Sequence, residues 1–274
     1  MRTGRSCRAS RVGELLEFDL ALAASDELYT KNPARPSGAP FPFLGTSCSG
    51  RRLFGFDEAG RGALAGPIVV GCVAFPLSVL EDRKGVEAAL GTVDDSKRLT
   101  PRGRQAAYEA IVTCARWAAG AASAAEIDVV GIVAAAERAA RGAFQHMVVP
   151  CDLAVFDRGL SLGEPVPLDG GPAPGAGRPG SYRPSSAWGH LPTCVGFTRG
   201  DMRSLHVAAA SIIAKVTRDR LMVGLGSRFP GYGFAEHKGY GTECHRAAIL
   251  RLGPSAVHRA TFLGRLDRTE TQSC

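Results

Sequence analysis

Short apolar runs separated by polar turns predict the strands of this chain. The first run, over 53–57, ends in acid, and a glycine-rich turn connects it to a second run over 68–75. A run that is apolar at nearly every position is typical of a strand buried on both faces. Two further strands are predicted over 152–157, which also ends in a carboxylate, and over 193–198.

Helices are predicted where a capping residue precedes apolar residues at helical spacing. The Thr-Pro pair at 100–101 supplies a cap and a first-turn proline, and the segment 123–126 fits a capping box. The helix after this box begins there or a few residues later, at Asp128. A long alanine-rich helix is predicted over 205–225, and 11–29 has the pattern of a short amphipathic helix. Strands that alternate with helices indicate an α/β fold.

Two segments rich in glycine and proline divide the chain. We interpret 30–50 as a linker or loosely packed arm and 160–192 as a flexible surface insertion. A length of 274 residues suits one large domain with an appendage. The expected organisation is an N-terminal helix and linker over 1–50, a main domain over 51–265 and a tail over 266–274.

Composition favours a polyanionic partner and gives little support to zinc chemistry. The formal net charge is +7, and a basic surface is what nucleic acids bind. The eight cysteines form no CxxC pair and the six histidines no HExxH spacing, so free thiols are expected rather than disulfides or a zinc site. No apolar run is long enough for a membrane span and no signal-peptide pattern is present. The expected location is the cytoplasm.

Four acids stand at positions where an α/β sheet places ligand-binding groups. Asp57 and Glu58 end the first strand, Asp157 ends the third, and Asp201 precedes the long helix. Such strand ends and helix starts tend to meet at one edge of the sheet, where clustered carboxylates need hard cations between them. Taken singly, an aspartate at a strand end is a turn former or a helix cap. Spacing alone leaves both interpretations open.

Five blocks of sequence between about residues 53 and 262 form a distinctive ordered set. The blocks are Gly55-Phe-Asp57-Glu58-Ala-Gly60-Arg61-Gly62-Ala-Leu-Ala-Gly66-Pro67, Asp95-Ser96-Lys97-Arg98-Leu99, Ala208-Ala-Ala-Ser211-Ile-Ile-Ala-Lys215-Val-Thr-Arg218-Asp219, His237-Lys238-Gly239-Tyr240-Gly241-Thr242 with His245, and Gly253-Pro254-Ser255-Ala-Val-His258-Arg259. In this order they resemble ribonuclease HII. Any one block is moderately specific, and the ordered set is very specific. The Asp-Glu-Ala-Gly-Arg-Gly form of the first block also distinguishes the chain from ribonuclease HIII.

The resemblance implies a ribonuclease H-like fold, with a central mixed sheet flanked by helices and a C-terminal helical region. It implies hydrolysis of the RNA strand of RNA–DNA hybrids and of single ribonucleotides in duplex DNA. The cut would fall on the 5′ side of the ribonucleotide and leave 3′-hydroxyl and 5′-phosphate ends. Two Mg²⁺ or Mn²⁺ ions would be required, and the implied task is removal of ribonucleotides from DNA; the sequence identifies no protein partner. The implied metal ligands are Asp57, Glu58, Asp157 and Asp201.

The resemblance also implies how substrate is bound. The turn at Gly60, Arg61 and Gly62 would lie in the minor groove and sense the 2′-hydroxyl, which distinguishes RNA from DNA, through backbone contacts. Tyr240 would pack against the sugar on the 3′ side. Outside this motif, the tyrosine would be an ordinary core aromatic. The implied phosphate contacts are Lys97, Lys215 and Arg218.

The chain departs from the family pattern at three places. Ala63 stands where proline is usual, and the insertion at 160–192 is longer than the usual connection. The third acid is normally followed by glycine, but Asp157 is followed by Arg158, which strand alternation should turn to the opposite face. An Asp-Gly pair does occur at Asp169, which is therefore the rival third ligand. We favour Asp157, because it ends a hydrophobic strand.

The alternative functions are a non-catalytic nucleic-acid binder and a junction resolvase of the same fold. A non-catalytic nucleic-acid binder would not need four carboxylates, and a junction resolvase would not need the Gly-Arg-Gly turn or Tyr240. His237 and His258 match the family as well, but the sequence assigns them no chemistry.

Overall fold

The computed structural model describes residues 10–25, 52–94, 96–162 and 192–264. The predicted linker at 30–50, most of the predicted insertion at 160–192 and the rival ligand Asp169 lie outside these residues. The division into domains therefore stays a prediction. No helix in the described part of the chain is long and apolar enough to cross a membrane.

The described residues form a mixed sheet of five strands with the order β3-β2-β1-β4-β5. Strand β2 is antiparallel to both β1 and β3, whereas β4 runs parallel to β1 and β5 parallel to β4. Phe56 pairs with Phe156 in the β1–β4 register. The next residue of each strand, Asp57 and Asp157, therefore lies beside the other at one edge of the sheet. The strands are β1 (Leu53–Ala59), β2 (Ile68–Ala74), β3 (Arg116–Ala122), β4 (Leu153–Asp157) and β5 (Thr193–Phe197).

Helices cover both faces of this sheet, and the described residues after Gly233 include three short helices. A short 3₁₀ turn, Gly200–Met202, leads from β5 into the longest helix. These elements confirm the predicted α/β fold with a central mixed sheet. The helices are α1 (Arg11–Ala24), α2 (Leu77–Glu81), α3 (Arg83–Leu90), α4 (Pro101–Cys114), α5 (Ala124–Gln145), α6 (Leu205–Arg228), α7 (Phe234–His237), α8 (Glu243–Leu252) and α9 (Ala260–Leu263).

Alternation along β1 divides the core between the two helical layers. Phe54 and Phe56 are fully buried in a cluster with α5, whereas Gly55 between them faces α6. The opposite layer joins α6 with α1, α3 and α4 in a second cluster. Helix α6 lies very close to the sheet, since a Cβ added at Gly71 would collide with the carbonyl of Ala210. Asp57, which follows Phe56, is therefore carried on the α6 face.

Helix starts agree with the sequence prediction, and two features differ from it. Thr100 caps α4, and Ser123 with Glu126 forms the full capping box, so α5 begins at Ala124 and not at Asp128. The pattern did not predict β3, whose alanine-rich sequence has little strand propensity. Strand β3 forms because it pairs with β2 along its whole length.

Candidate active site

The first two acids lie at the end of β1, as the sequence predicts. Asp57 is 7% exposed, and its Oδ1 accepts a hydrogen bond of 2.7 Å from the backbone N–H of Glu58. The Glu58 side chain is held in turn by Arg61, whose Nε donates to Glu58 Oε1 at 2.7 Å. Arg61 also donates to the carbonyl of Gly159, at 2.7 Å. This arginine therefore connects the end of β1 to the loop that follows β4.

A hydrogen bond from the backbone next to the fourth acid holds the third acid in place. Asp157 ends β4, and its Oδ1 accepts the N–H of Gly200 at 2.8 Å. Asp201, the next residue, is buried in the 3₁₀ turn that precedes α6. Arg158 is exposed, in agreement with the expectation that it turns away from the acids.

The electrostatics of Asp57 indicate that the other three acids lie near it. Burial raises the pKa of Asp57 well above its usual range, and repulsion by Glu58, Asp157 and Asp201 adds to the increase. A carboxylate in such a site is stabilised by a nearby cation. The structure therefore brings together the four predicted ligands, although their role as ligands remains a proposal.

The residues present fit a divalent cation. Glu58 Oε2 is buried and has no hydrogen-bond partner among the described residues, which leaves a hard oxygen donor available to a metal ion. Within the described segments, no three His, Cys, Asp or Glu side chains already surround a common point closely enough to hold a metal. In this conformation the acids of the described residues therefore do not form a closed cage around one point.

A turn at residues 60–67 lies next to the acids and is held from beneath by two buried arginines. Arg218 donates to the carbonyls of Pro67 at 2.9 Å and Ala65 at 3.2 Å. Arg259 donates to the carbonyls of Gly66 at 3.1 Å and of Arg61 at 3.0 Å. Both side chains are fully buried, and burial lowers the pKa of Arg259 to about 10. The carbonyls of the turn are thus held toward the protein interior.

The two glycines of this turn have different surroundings. Gly60 has a φ of +96°, and a Cβ there would collide with the Arg218 side chain. Gly62 is exposed, and a Cβ there would meet no atom within 4 Å. Within the described residues, the backbone N–H groups of residues 63–66 donate to backbone carbonyls, and those of Arg61 and Gly62 do not. The open side of the turn therefore presents two amides and no side chain at Gly62.

Tyr240 lies beside this turn, next to two residues that were predicted as phosphate contacts. Its ring is 37% exposed and lies 5.2 Å from Arg218 Cζ and 5.7 Å from Lys215 Nζ. Lys215 is only partly buried, in an ion pair of 2.8 Å with Asp219. Arg218, predicted as a phosphate contact, is instead enclosed beneath the turn. The fully buried guanidinium supports the turn in this conformation, and a contact between Arg218 and a phosphate stays a prediction.

A chain of imidazoles fixes the backbone of Tyr240. Ser255 donates its N–H to His258 Nδ1 at 2.9 Å, so we assign the His258 proton to Nε2, which faces His245 Nε2 at 3.1 Å. His245 then donates from Nδ1 to the Tyr240 carbonyl at 2.9 Å. Burial lowers the pKa of His245 to about 4, and His258 is lowered too. Both rings are therefore neutral at pH 7 and act as positioning groups.

One further predicted phosphate contact is exposed, and two buried residues had no predicted role. Lys97 is exposed in the loop before α4, a position open to a phosphate. The sequence interpretation assigned no role to Arg259 or His245, although both belong to matched blocks. Their place in those blocks was the available signal, but their function depends on burial, which the local sequence does not reveal.

Solved structures identify the class to which this fold belongs. The crystal structure of ribonuclease H2 from Pyrococcus horikoshii OT3 aligns with a TM-score of 0.55 and 20% identity, covering 81% of this chain and all of the other. That of Bst-RNase HIII in complex with Mn²⁺ aligns with a TM-score of 0.54 and 16% identity, covering 81% of this chain and 71% of the other. The fold is ribonuclease H-like.

Sequence comparison identifies the family within this class. The family model for ribonuclease HII matches residues 54–157 and 179–265. Ribonuclease HII of Syntrophotalea carbinolica is 41% identical over 218 residues, which cover 78% of this chain and 86% of the relative. The chain belongs to the ribonuclease HII family. It is therefore a hydrolase that cleaves RNA in RNA–DNA hybrids, and its family is metal-dependent.

Proposed function

We propose that the protein cuts on the 5′ side of a ribonucleotide, including a single ribonucleotide within duplex DNA, to leave 3′-hydroxyl and 5′-phosphate ends. The observation that carries this proposal is the turn at residues 60–67. Its Gly62 has open space, and its outward amides lie beside four clustered acids. Such a surface admits a sugar edge close to the backbone and can test for one 2′-hydroxyl.

The four acids are proposed as ligands of two divalent cations, Mg²⁺ or Mn²⁺. The available oxygen of Glu58 and the mutual repulsion at Asp57 support this assignment. When bound, the cations supply the Lewis acid and the activated water that phosphodiester hydrolysis requires. The protein orients the strand and holds the carboxylates in place. Arg61 neutralises one side of Glu58 and so limits repulsion within the cluster.

Substrate selection is divided between the turn and Tyr240. The turn at Gly60, Arg61 and Gly62 reads the 2′-hydroxyl, and the partly exposed ring packs on the next sugar in the 3′ direction. Lys97 and Lys215 contact phosphates, which provide affinity without information about the sugar. This division supports cleavage at an RNA-to-DNA junction and not only within continuous RNA.

The test is a gel assay on three labelled duplexes: all-DNA, DNA with one ribonucleotide, and a continuous RNA–DNA hybrid. We expect a Mg²⁺-dependent cut on the 5′ side of the lone ribonucleotide and no cut in the DNA. Asp57→Asn should bind the duplex normally but lose nearly all cleavage, because a neutral amide is a poor Mg²⁺ ligand. Cleavage within a few-fold of wild type would exclude Asp57 as a ligand. Cleavage of continuous RNA alone would exclude the junction-reading role.

A further inference from the structure

The N-terminal helix α1 lies outside the part of the chain that the family model matches, yet it is integrated into the core. The family match begins at residue 54, whereas α1 covers Arg11–Ala24. Val12, Leu15 and Leu16 are each 1% exposed and belong to the same cluster as the first turns of α6. Helix α1 therefore packs directly behind the helix that follows Asp201.

A buried carboxylate of α1 accepts a backbone N–H from the first turn of α6, in addition to the N-cap that Ser204 supplies. Asp19 Oδ2 accepts two hydrogen bonds from His206, one from its backbone N–H at 3.1 Å and one from Nδ1 at 2.7 Å. His206 Nε2 accepts the N–H of Phe75 at 3.4 Å, so we assign the imidazole proton to Nδ1. Both members of the pair are at most 1% exposed. Asp19 thus places a negative charge at the positive N-terminus of α6 and fixes the orientation of His206.

Two further contacts from α1 reach the residues next to Asp201. Arg11 donates to the carbonyl of Met202 at 2.5 Å. The guanidinium of Arg203 lies 4.7 Å from the centre of the Phe18 ring. The backbone that carries Asp201 is therefore held by α1 at both of the following residues.

Strand β1 holds the same backbone from the other side. A Cβ added at Gly55 would collide with the carbonyl group of His206 and the N–H of Val207, so the start of α6 is pressed against the strand. Asp57 lies two residues further along that strand. Helix α1 and β1 thus enclose the segment that determines the distance between Asp57 and Asp201.

We propose that Asp19 of α1 is a positioning residue for Asp201. The inference rests on the proposed function, since it takes Asp201 as one of the four metal ligands. Without the Asp19 carboxylate, α6 keeps the cap that Ser204 provides to Val207 but loses the acceptor of the His206 N–H and Nδ1–H. The turn with Asp201 can then move away from Asp57. Binding of the duplex, which depends on the 60–67 turn and on lysines, should change little.

The test compares Asp19→Ala with Leu16→Ala in the full-length protein. Leu16 is equally buried on the same helix, so its truncation destabilises the fold without removing a polar contact to α6. At a temperature where both variants are folded, we expect Asp19→Ala to lower kcat at least 10-fold with KM for the duplex within about 2-fold. Leu16→Ala should keep wild-type kcat despite a lower urea midpoint. Asp19→Asn, which keeps an oxygen for the His206 N–H, should lie between wild type and Asp19→Ala.

A second readout is Mn²⁺ binding without substrate, followed by electron paramagnetic resonance. Asp19→Ala should weaken binding about 10-fold, and Leu16→Ala should not. Equal kcat and equal Mn²⁺ affinity in Asp19→Ala and Leu16→Ala would overturn the inference. If Asp19→Ala does not fold, a wild-type kcat in Asp19→Asn would overturn it instead. Asp201→Asn separates this failure from that of the proposed function. If Asp201→Asn still cleaves, the ligand assignment itself is wrong; if it is inactive, only the role of Asp19 is in question.

Discussion

The two glycines of the 60–67 turn should respond in opposite ways to the same substitution. In Gly60→Ala the new methyl group occupies a backbone with φ of +96°, which costs about 1–2 kcal/mol for an L-residue. It also displaces Arg218 from two backbone carbonyls, and a hydrogen bond to a charged group contributes roughly 1.5–3 kcal/mol. We expect the free energy of unfolding to fall by about 4 kcal/mol in total.

Gly62→Ala should instead leave stability almost unchanged. Its Cβ meets no protein atom within 4 Å and its φ is not in the left-handed region, so the change should be below about 0.5 kcal/mol. The methyl group would nevertheless stand where the sugar edge approaches. Because displacement of a substrate by about 1 Å can cost 100-fold in rate, we expect kcat/KM on the single-ribonucleotide duplex to fall about 100-fold.

Urea unfolding and steady-state cleavage of the same preparations measure both effects. Gly60→Ala should show the lower urea midpoint, and Gly62→Ala should show the loss of cleavage with a wild-type midpoint. The reasoning is refuted if Gly62→Ala cleaves the single-ribonucleotide duplex as wild type does. It is also refuted if Gly62→Ala unfolds as early as Gly60→Ala, since the turn would then not have the described geometry.

Three further results are expected. Asp157→Asn should abolish cleavage while Asp169→Asn leaves it nearly intact, and the opposite result in the gel assay would make Asp169 the third ligand. Tyr240→Ala should reduce cleavage of the single-ribonucleotide duplex far more than its affinity, measured by titration of labelled duplex; equal losses would assign the ring to binding alone. The unfolded chain takes up a proton at His245 near pH 6.5, and the folded chain only near pH 4. The free energy of unfolding should therefore fall as pH drops between these values, by at most about 2 kcal/mol at pH 5. His245→Gln should show a shallower decrease in urea midpoint, and an identical pH dependence would contradict the neutral imidazole.

Features that depend on a few adjacent residues could be predicted from the sequence. The caps at Thr100 and Ser123 form as expected because each side chain bonds to a backbone N–H three residues away. The acids at the ends of β1 and β4 could be identified because those strands are continuous apolar runs. Strand β3 could not, because its alanines carry no alternation and only its pairing with β2 determines its conformation.

The interpretation of charged residues was less complete, because burial is a property of the folded chain. Arg218 belongs to a matched block and has the charge of a phosphate contact, yet it bonds to carbonyls 151 and 153 residues earlier in the chain. Asp19 and His206 are separated by 187 residues, so no local pattern relates them. Metal ligation likewise depends on the distances between carboxylates in the folded chain. The sequence could therefore identify the candidate acids, and mutagenesis tests whether they bind metal.

The contact between Arg259 and the glycine turn has a consequence for biosynthesis. Arg259 donates to the carbonyl of Arg61 across 198 residues of sequence, so the ribosome must have made nearly the whole domain before the turn can take its final shape. Contacts between such distant segments form late in folding, because their chain-entropy cost is met only when the remaining structure is in place. A partly synthesised chain would carry the acids of β1 without a surface that selects the ribonucleotide. Selective cleavage should therefore arise in a single step, when the last segment docks, rather than gradually as the chain grows.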